Sequence, residues 1–129
     1  MEIGIDIIEI NRIKKACERK SFSRRVFTYD ELEQIKNKAS VYSHLAGKFA
    51  AKEAVSKALG TGFRFFKWHD IQIINNHVGK PIVKLSGKAK QIFENNRYKH
   101  IKVTISHSRD YAVAFAVILR GDDVEDCKS

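Results

Sequence analysis

The stretch Val41-Tyr-Ser-His-Leu-Ala-Gly-Lys-Phe-Ala-Ala-Lys-Glu-Ala-Val-Ser-Lys-Ala-Leu59 decides how this chain folds. Ala46, Ala50, Ala54 and Ala58 recur every four residues, so they fall in one row along a helix, and Gly60 supplies a stop. The spacing predicts the longest helix of the chain, Val41 to about Leu59, with a row of small side chains that another element can approach closely. Leu45, Phe49 and Val55 add bulk beside that row. Such a helix is central, and its charged stripe of Lys48, Lys52, Glu53 and Lys57 is expected to face a cleft rather than open water. Taken alone, Glu53 and Lys57 are four apart and read as a surface ion pair worth about 0.3–0.5 kcal/mol.

Upstream, Thr28-Tyr-Asp-Glu31 has capping-box spacing and predicts a helix to about Lys38. Asn11 is placed to cap a helix through about Lys20, with Ser21 and Phe22 interrupting it. Ile3, Ile5 and Ile7 alternate with Gly4 and Asp6, which predicts a strand with one apolar face. Downstream of the long helix the period changes to two. A strand is predicted over Asp70–Ile74, a turn at Asn75-Asn76-His77, and a strand from Pro81 to Leu85. Ser86 can cap a short helix to about Asn95. Ile101, Val103 and Ile105 mark another half-buried strand; His107–Asp110 make a turn; Ala112–Leu119 form a strand apolar on both sides. The last two pair as an antiparallel hairpin. The fold class is α+β, a small antiparallel sheet packed with a long central helix. One domain fills residues 1–129, with an acidic tail over about 121–129 expected to fray.

The chain carries a formal net charge of +9 over 129 residues. That predicts an acidic partner: nucleic acid, anionic membrane, an acidic protein or a polyphosphate. The bases concentrate early, with Arg12, Lys14, Lys15, Arg19, Lys20, Arg24 and Arg25 set against Glu18. Cys17 and Cys127 lie far apart with no metal-binding spacing, as expected of a reduced compartment. The acidic opening has no signal-peptide pattern, and the longest apolar run is too short to cross a bilayer. A cytoplasmic protein is expected.

Several polar residues are candidates for chemistry. Asp6 interrupts an otherwise apolar strand, and a carboxylate there calls for a metal, a base or hydrogen-bond donors. Together Asp6 and Glu53 are the candidate pair for Mg²⁺, which typically takes one or two protein carboxylates and completes its shell with water and phosphate oxygens. Gly79-Lys80-Pro81 is a turn entering a strand, with a lysine able to touch a phosphate. Ser106 and His107 end a strand, where adjacent side chains point to opposite faces and make no nucleophile–base pair. Neither a Gly-x-Ser-x-Gly elbow nor a Walker glycine loop occurs.

In combination these segments resemble the short trimeric type of 4′-phosphopantetheinyl transferase, the holo-acyl-carrier-protein synthase family. The matching pieces are Gly4-Ile-Asp6-Ile, Phe49-Ala-Ala-Lys-Glu-Ala-Val-Ser-Lys-Ala-Leu-Gly60, Gly79-Lys-Pro81 and Ile105-Ser-His-Ser108. Order, spacing and length fit across nearly the whole chain. The resemblance implies a homotrimer with active sites at subunit contacts. It implies Asp6 and Glu53 around Mg²⁺ and the coenzyme A pyrophosphate, with Lys57 on the same phosphates. Lys48, Gly60, Lys80, Pro81, Ser106 and His107 would line the nucleotide part of the cleft. Arg12, Arg24, Arg25 and an apolar anchor, Phe22, would receive the acidic helix of an acyl carrier protein. The implied reaction moves 4′-phosphopantetheine from coenzyme A to a carrier-protein serine, in support of fatty acid biosynthesis. Glu53 would be the base, directly or through a bound water. Lys48 stands where the family commonly has arginine, giving a point-charge contact instead of a bidentate one.

A basic nucleic-acid module is the rival class. The chain lacks the aromatic strand signature of an RNA-recognition fold and any GxxG clamp. It would also leave Asp6 and Glu53 without a purpose. A catalytically inert carrier-protein-binding subunit is a third possibility, disfavoured by the intact carboxylate pair. The expectation is therefore a carrier protein and coenzyme A as partners, with neither nucleic acid nor membrane.

Overall fold

The computed structural model describes residues 1–121. The predicted acidic tail from Asp122 onward, with Cys127, lies outside them. Strand β1 (Glu2–Glu9) leads into three short helices, α1 (Ile10–Ala16), α2 (Lys20–Val26) and α3 (Tyr29–Ile35). The long helix α4 (Val41–Ala58) follows. After it come a 3₁₀ turn at Trp68–Asp70 and the strands β2 (Ile71–Asn75) and β3 (Pro81–Leu85). Helix α5 (Gly87–Asn95) and the hairpin β4 (Tyr98–His107) and β5 (Tyr111–Arg120) complete the described chain.

Two antiparallel sheets result: β1–β5–β4, and the separate hairpin β2–β3. Helix α4 packs across the first. The fit is small against small. Ala50 and Ala54 of the helix row are fully buried, and Ala112, Ala114 and Ala116 of β5 look back at the helix from the sheet. Gly4 of β1 pairs with Ala116 in register and is the closest point of approach. A Cβ added at Gly4 would collide with the Ala54 carbonyl oxygen and lie 2.9 Å from the Ala58 nitrogen. At the other end Gly47 does the same job, since a Cβ there would meet Ile105 Cγ2 at 2.8 Å. A second core, with Ile13, Val26, Phe27, Ile35 and Leu45, fills the space under α1–α3.

Three expectations need correction. Ile3, Ile5 and Ile7 form the outer face of β1 and are 58%, 59% and 63% exposed, whereas Gly4 and Asp6 face the helix. Alternation distinguishes two faces of a strand but not which one is buried; the alanine row accepts glycine, and isoleucine would not fit. Second, Glu9 holds the cap position of α1, and Asn11 lies inside its first turn. Third, the helix breaks at Cys17–Arg19, so Ser21 and Phe22 belong to α2 instead of interrupting a longer helix. The Thr28 capping box is present, with Glu31 N–H donating to Thr28 Oγ1 and Thr28 N–H to Glu31 Oε1. Ser86 occupies the cap of α5 without a side-chain hydrogen bond.

Candidate active site

Gly4 draws β1 onto α4, and Asp6, two residues on, therefore points along the same face at the last two turns of the helix. Its side chain is 17% exposed. The Lys57 ammonium lies 3.1 Å from Asp6 Oδ1 and donates to the Ile5 carbonyl at 2.9 Å. Lys57 thus pairs with Asp6 across the two elements. Glu53, one turn earlier, has its carboxyl pushed above the usual range, first by burial and then by the Asp6 charge, with Lys57 opposing. Two carboxylates that repel one another beside a single lysine are a place where a divalent cation would relieve the repulsion. Among the described residues no group of three or more His, Cys, Asp or Glu comes together. The donor set is this pair alone, which suits a hard cation that keeps water and phosphate oxygens in its shell. Gly60 ends the same helix at φ +85°, donating its N–H to the Lys57 carbonyl at 3.0 Å.

The rest of the charged stripe does not face this site. Lys52 is fully buried on the opposite flank, 2.9 Å from Glu31 Oε1, and donates to the Ile71 carbonyl at 2.6 Å. Burial pulls its pKa down while Glu31 pushes it up. Lys48 is 2% exposed and donates to the Ile73 carbonyl at 2.6 Å. Its pKa falls to about 8, mainly through burial. The expected cleft-facing stripe therefore splits: Glu53 and Lys57 attend β1, while Lys48 and Lys52 attend β2.

A second concavity opens near the start of α4. Ser43, His44, Gly47 and Lys48 form one wall, Asn75, Gly79 and Pro81 of the β2–β3 hairpin a second, and Ile105 and His107 the third. Lys48, Pro81 and His107, all predicted for nucleotide contact, come together here. Asp6, Glu53 and Lys57 do not line it. The His44 and His107 rings lie 6.4 Å apart. Burial and the neighbouring Lys38, His107 and Lys48 lower the His44 pKa. Lys80 is exposed beside this wall and lines an adjoining groove with Pro81 and Lys102. Ser106 sits in register with Val113 on the outer sheet face.

Several contributors escaped sequence reasoning. Asn76 builds the hairpin turn by accepting from Val78 N–H and Lys80 N–H through its side-chain oxygen at 3.0 and 2.9 Å. An Asn ahead of a glycine turn is a signal for this role. His69 Nε2 lies 2.6 Å from the Arg24 carbonyl, to which it can only donate, and so ties down the end of α2. Arg12, Arg24 and Arg25 are all exposed. Phe22 is half-buried, its ring 6.3 Å from Phe27 and 6.2 Å from Phe49, so it packs inward as well as bordering the basic surface.

Residues 2–116 match the family model of the 4′-phosphopantetheinyl transferase superfamily. The chain is 49% identical over 122 residues to a holo-[acyl-carrier-protein] synthase of Caldanaerobacter subterraneus subsp. tengcongensis, covering 94% of this chain and 96% of that relative. Its fold is similar to that of the Neisseria meningitidis holo-[acyl-carrier-protein] synthase, with a TM-score of 0.85 at 30% identity, covering 92% of this chain and 98% of that one. A Bacillus anthracis holo-(acyl-carrier-protein) synthase, crystallised in complex with CoA (3′,5′-ADP), matches with a TM-score of 0.77 at 37% identity, over 93% and 96% of the two chains.

Proposed function

This chain belongs to the 4′-phosphopantetheinyl transferase superfamily, among the holo-[acyl-carrier-protein] synthases, and from that premise we propose that it transfers 4′-phosphopantetheine from coenzyme A to a serine of an acyl carrier protein with the help of Mg²⁺. The observation that carries the proposal is the meeting of Asp6, Glu53 and Lys57 where β1 lies on α4. Asp6 and Glu53 would hold the cation. Once bound, Mg²⁺ supplies charge neutralisation for the pyrophosphate.

Phosphoryl transfer asks a protein mainly for positioning and compensation of charge. The serine oxygen forms a bond to the β-phosphorus of coenzyme A, and the bond to the bridging pyrophosphate oxygen breaks, releasing adenosine 3′,5′-bisphosphate. Glu53, with its raised pKa, is suited to take the serine proton. Lys57, whose ammonium already sits beside Asp6, neutralises the departing phosphate. The nucleotide part would lie against His107, Lys80 and Pro81, and the exposed Arg12, Arg24 and Arg25 would receive the acidic carrier protein. Fatty acid biosynthesis in the cytoplasm is the setting such a substrate implies.

Two observations favour self-association with shared sites, which in this family would take the form of a homotrimer. Ile3, Ile5 and Ile7 lie open beside the 37%-exposed Phe115, forming an apolar sheet face that a second copy could cover. In addition, the carboxylate pair and the nucleotide concavity occupy different places on one chain, so a neighbouring copy can bring one to the other. Incubating the protein with Mg²⁺, coenzyme A and an apo carrier protein should yield the phosphopantetheine adduct by mass spectrometry. Glu53→Gln is expected to lower kcat by about 10²-fold or more with the fold retained by circular dichroism. Near-normal turnover by that variant would refute the role given to Glu53.

A further inference from the structure

Among the described residues, strand β2 pairs with a strand, β3, along one edge only. The opposite edge carries the backbone groups of Ile71, Ile73 and Asn75, and an open edge of this kind normally meets a strand or water. Here it meets side chains. Lys52 donates to the Ile71 carbonyl at 2.6 Å. Glu31 Oε2 accepts from Ile73 N–H at 2.8 Å, and Lys48 donates to the Ile73 carbonyl at 2.6 Å. Gln34 closes both groups of Asn75, accepting from its N–H at 2.9 Å and donating to its carbonyl at 2.8 Å. The remaining group, Ile71 N–H, donates to the Trp68 carbonyl. Every group on that edge is satisfied, and five of the bonds come from four side chains of α3 and α4.

The position of this ladder gives it a consequence for the site. Asn75, Gly79 and Pro81 form one wall of the nucleotide concavity, and α4 with Lys48 forms the wall opposite. Lys48 and Lys52 tie the two walls together directly, while Glu31, paired with Lys52, and Gln34 anchor the same strand to α3. Backbone pairing would fix strand spacing at roughly 4.8 Å; long side chains hold the hairpin farther off, and their lengths set the separation. Lys48, moreover, commits one of its three ammonium donors to Ile73, deep in the protein.

We propose that Gln34, Glu31, Lys48 and Lys52 are positioning residues for coenzyme recognition, acting through the β2–β3 hairpin to set the width of the nucleotide concavity. Lys48 thereby gains a spacing role in the wall that it also lines. The assignment rests on the transferase function proposed above and adds residues to it.

Gln34 offers the clean test, because it is exposed and, among the described residues, its side chain hydrogen-bonds the backbone of Asn75 alone. Gln34→Leu, which removes two exposed hydrogen bonds, is expected to raise KM for coenzyme A by about three- to tenfold. Its kcat at saturating coenzyme A and its KM for carrier protein should stay unchanged. The Asn75 amide should exchange faster with deuterium, and Gln34→Glu, which still accepts from that amide but sets a carboxylate oxygen against the Asn75 carbonyl, should restore its protection only in part. A merely structural ladder would speed exchange at Asn75 without moving the coenzyme KM, and that result overturns the proposal. Unchanged exchange would overturn it too. If wild-type protein neither binds coenzyme A by calorimetry nor modifies a carrier protein, the proposed function falls and this assignment with it. Wild-type protein that does both while Gln34→Leu matches its KM defeats the ladder's role alone.

Discussion

At the scale of single residues, the sequence announces a group that does chemistry most clearly when its charge is out of place. Asp6 stood out because it interrupts a run of isoleucines, and Glu53 because a central helix should not spend a carboxylate on open water. The partnership of Lys57 with Asp6, rather than with Glu53 four residues away, depends on where β1 lands and was not legible. Nor was the second task of Glu31. Its capping-box role is local and readable, whereas its bonds to Lys52 and Ile73 bridge segments far apart in the chain. Lys48 yields a pH prediction. Its folded pKa of about 8 lies below the ordinary 10.5. Below the lower value both states hold the proton, so stability does not change on its account. Between the two values the unfolded chain holds the proton and the folded one releases it, so stability rises with pH. Unfolding free energies of wild type and Lys48→Met, measured by urea titration across that window, are expected to diverge in favour of wild type as pH rises. Parallel curves would mean that Lys48 is not desolvated in solution.

At the scale of elements, the long helix and the closing hairpin were legible because each has an uninterrupted period of its own. The small-residue row of α4 anticipated close packing, and Gly4 is the partner that it waits for. Gly4→Ala is expected to destabilise the protein by about 1–3 kcal/mol or more, since overpacking against rigid backbone offers little room to relax. A shift in the chemical-denaturation midpoint measures it, and a neutral outcome would mean that β1 does not lie flush on α4. The short helices were harder. Seven-residue segments such as α1 and α2 carry too few turns for their pattern to fix an end. The boundary at Cys17–Arg19 is set by the core beneath, where Ile13 and Val26 must both be buried.

At the scale of the whole molecule, the outward isoleucines show what one chain's sequence cannot tell alone. An apolar stripe on a strand asks to be buried, and folding a single copy leaves it open. Ile5→Lys is expected to shift the protein toward a smaller species in sedimentation velocity while leaving its circular dichroism spectrum intact. Unaltered sedimentation of a stable oligomer would place the contact elsewhere. The second sheet bears on a different matter, that of unwanted strand pairing. With its outer backbone groups already bonded by Gln34, Glu31, Lys48 and Lys52, the outer edge of β2 offers a stray β-strand from another polypeptide no row of open amides to zip onto.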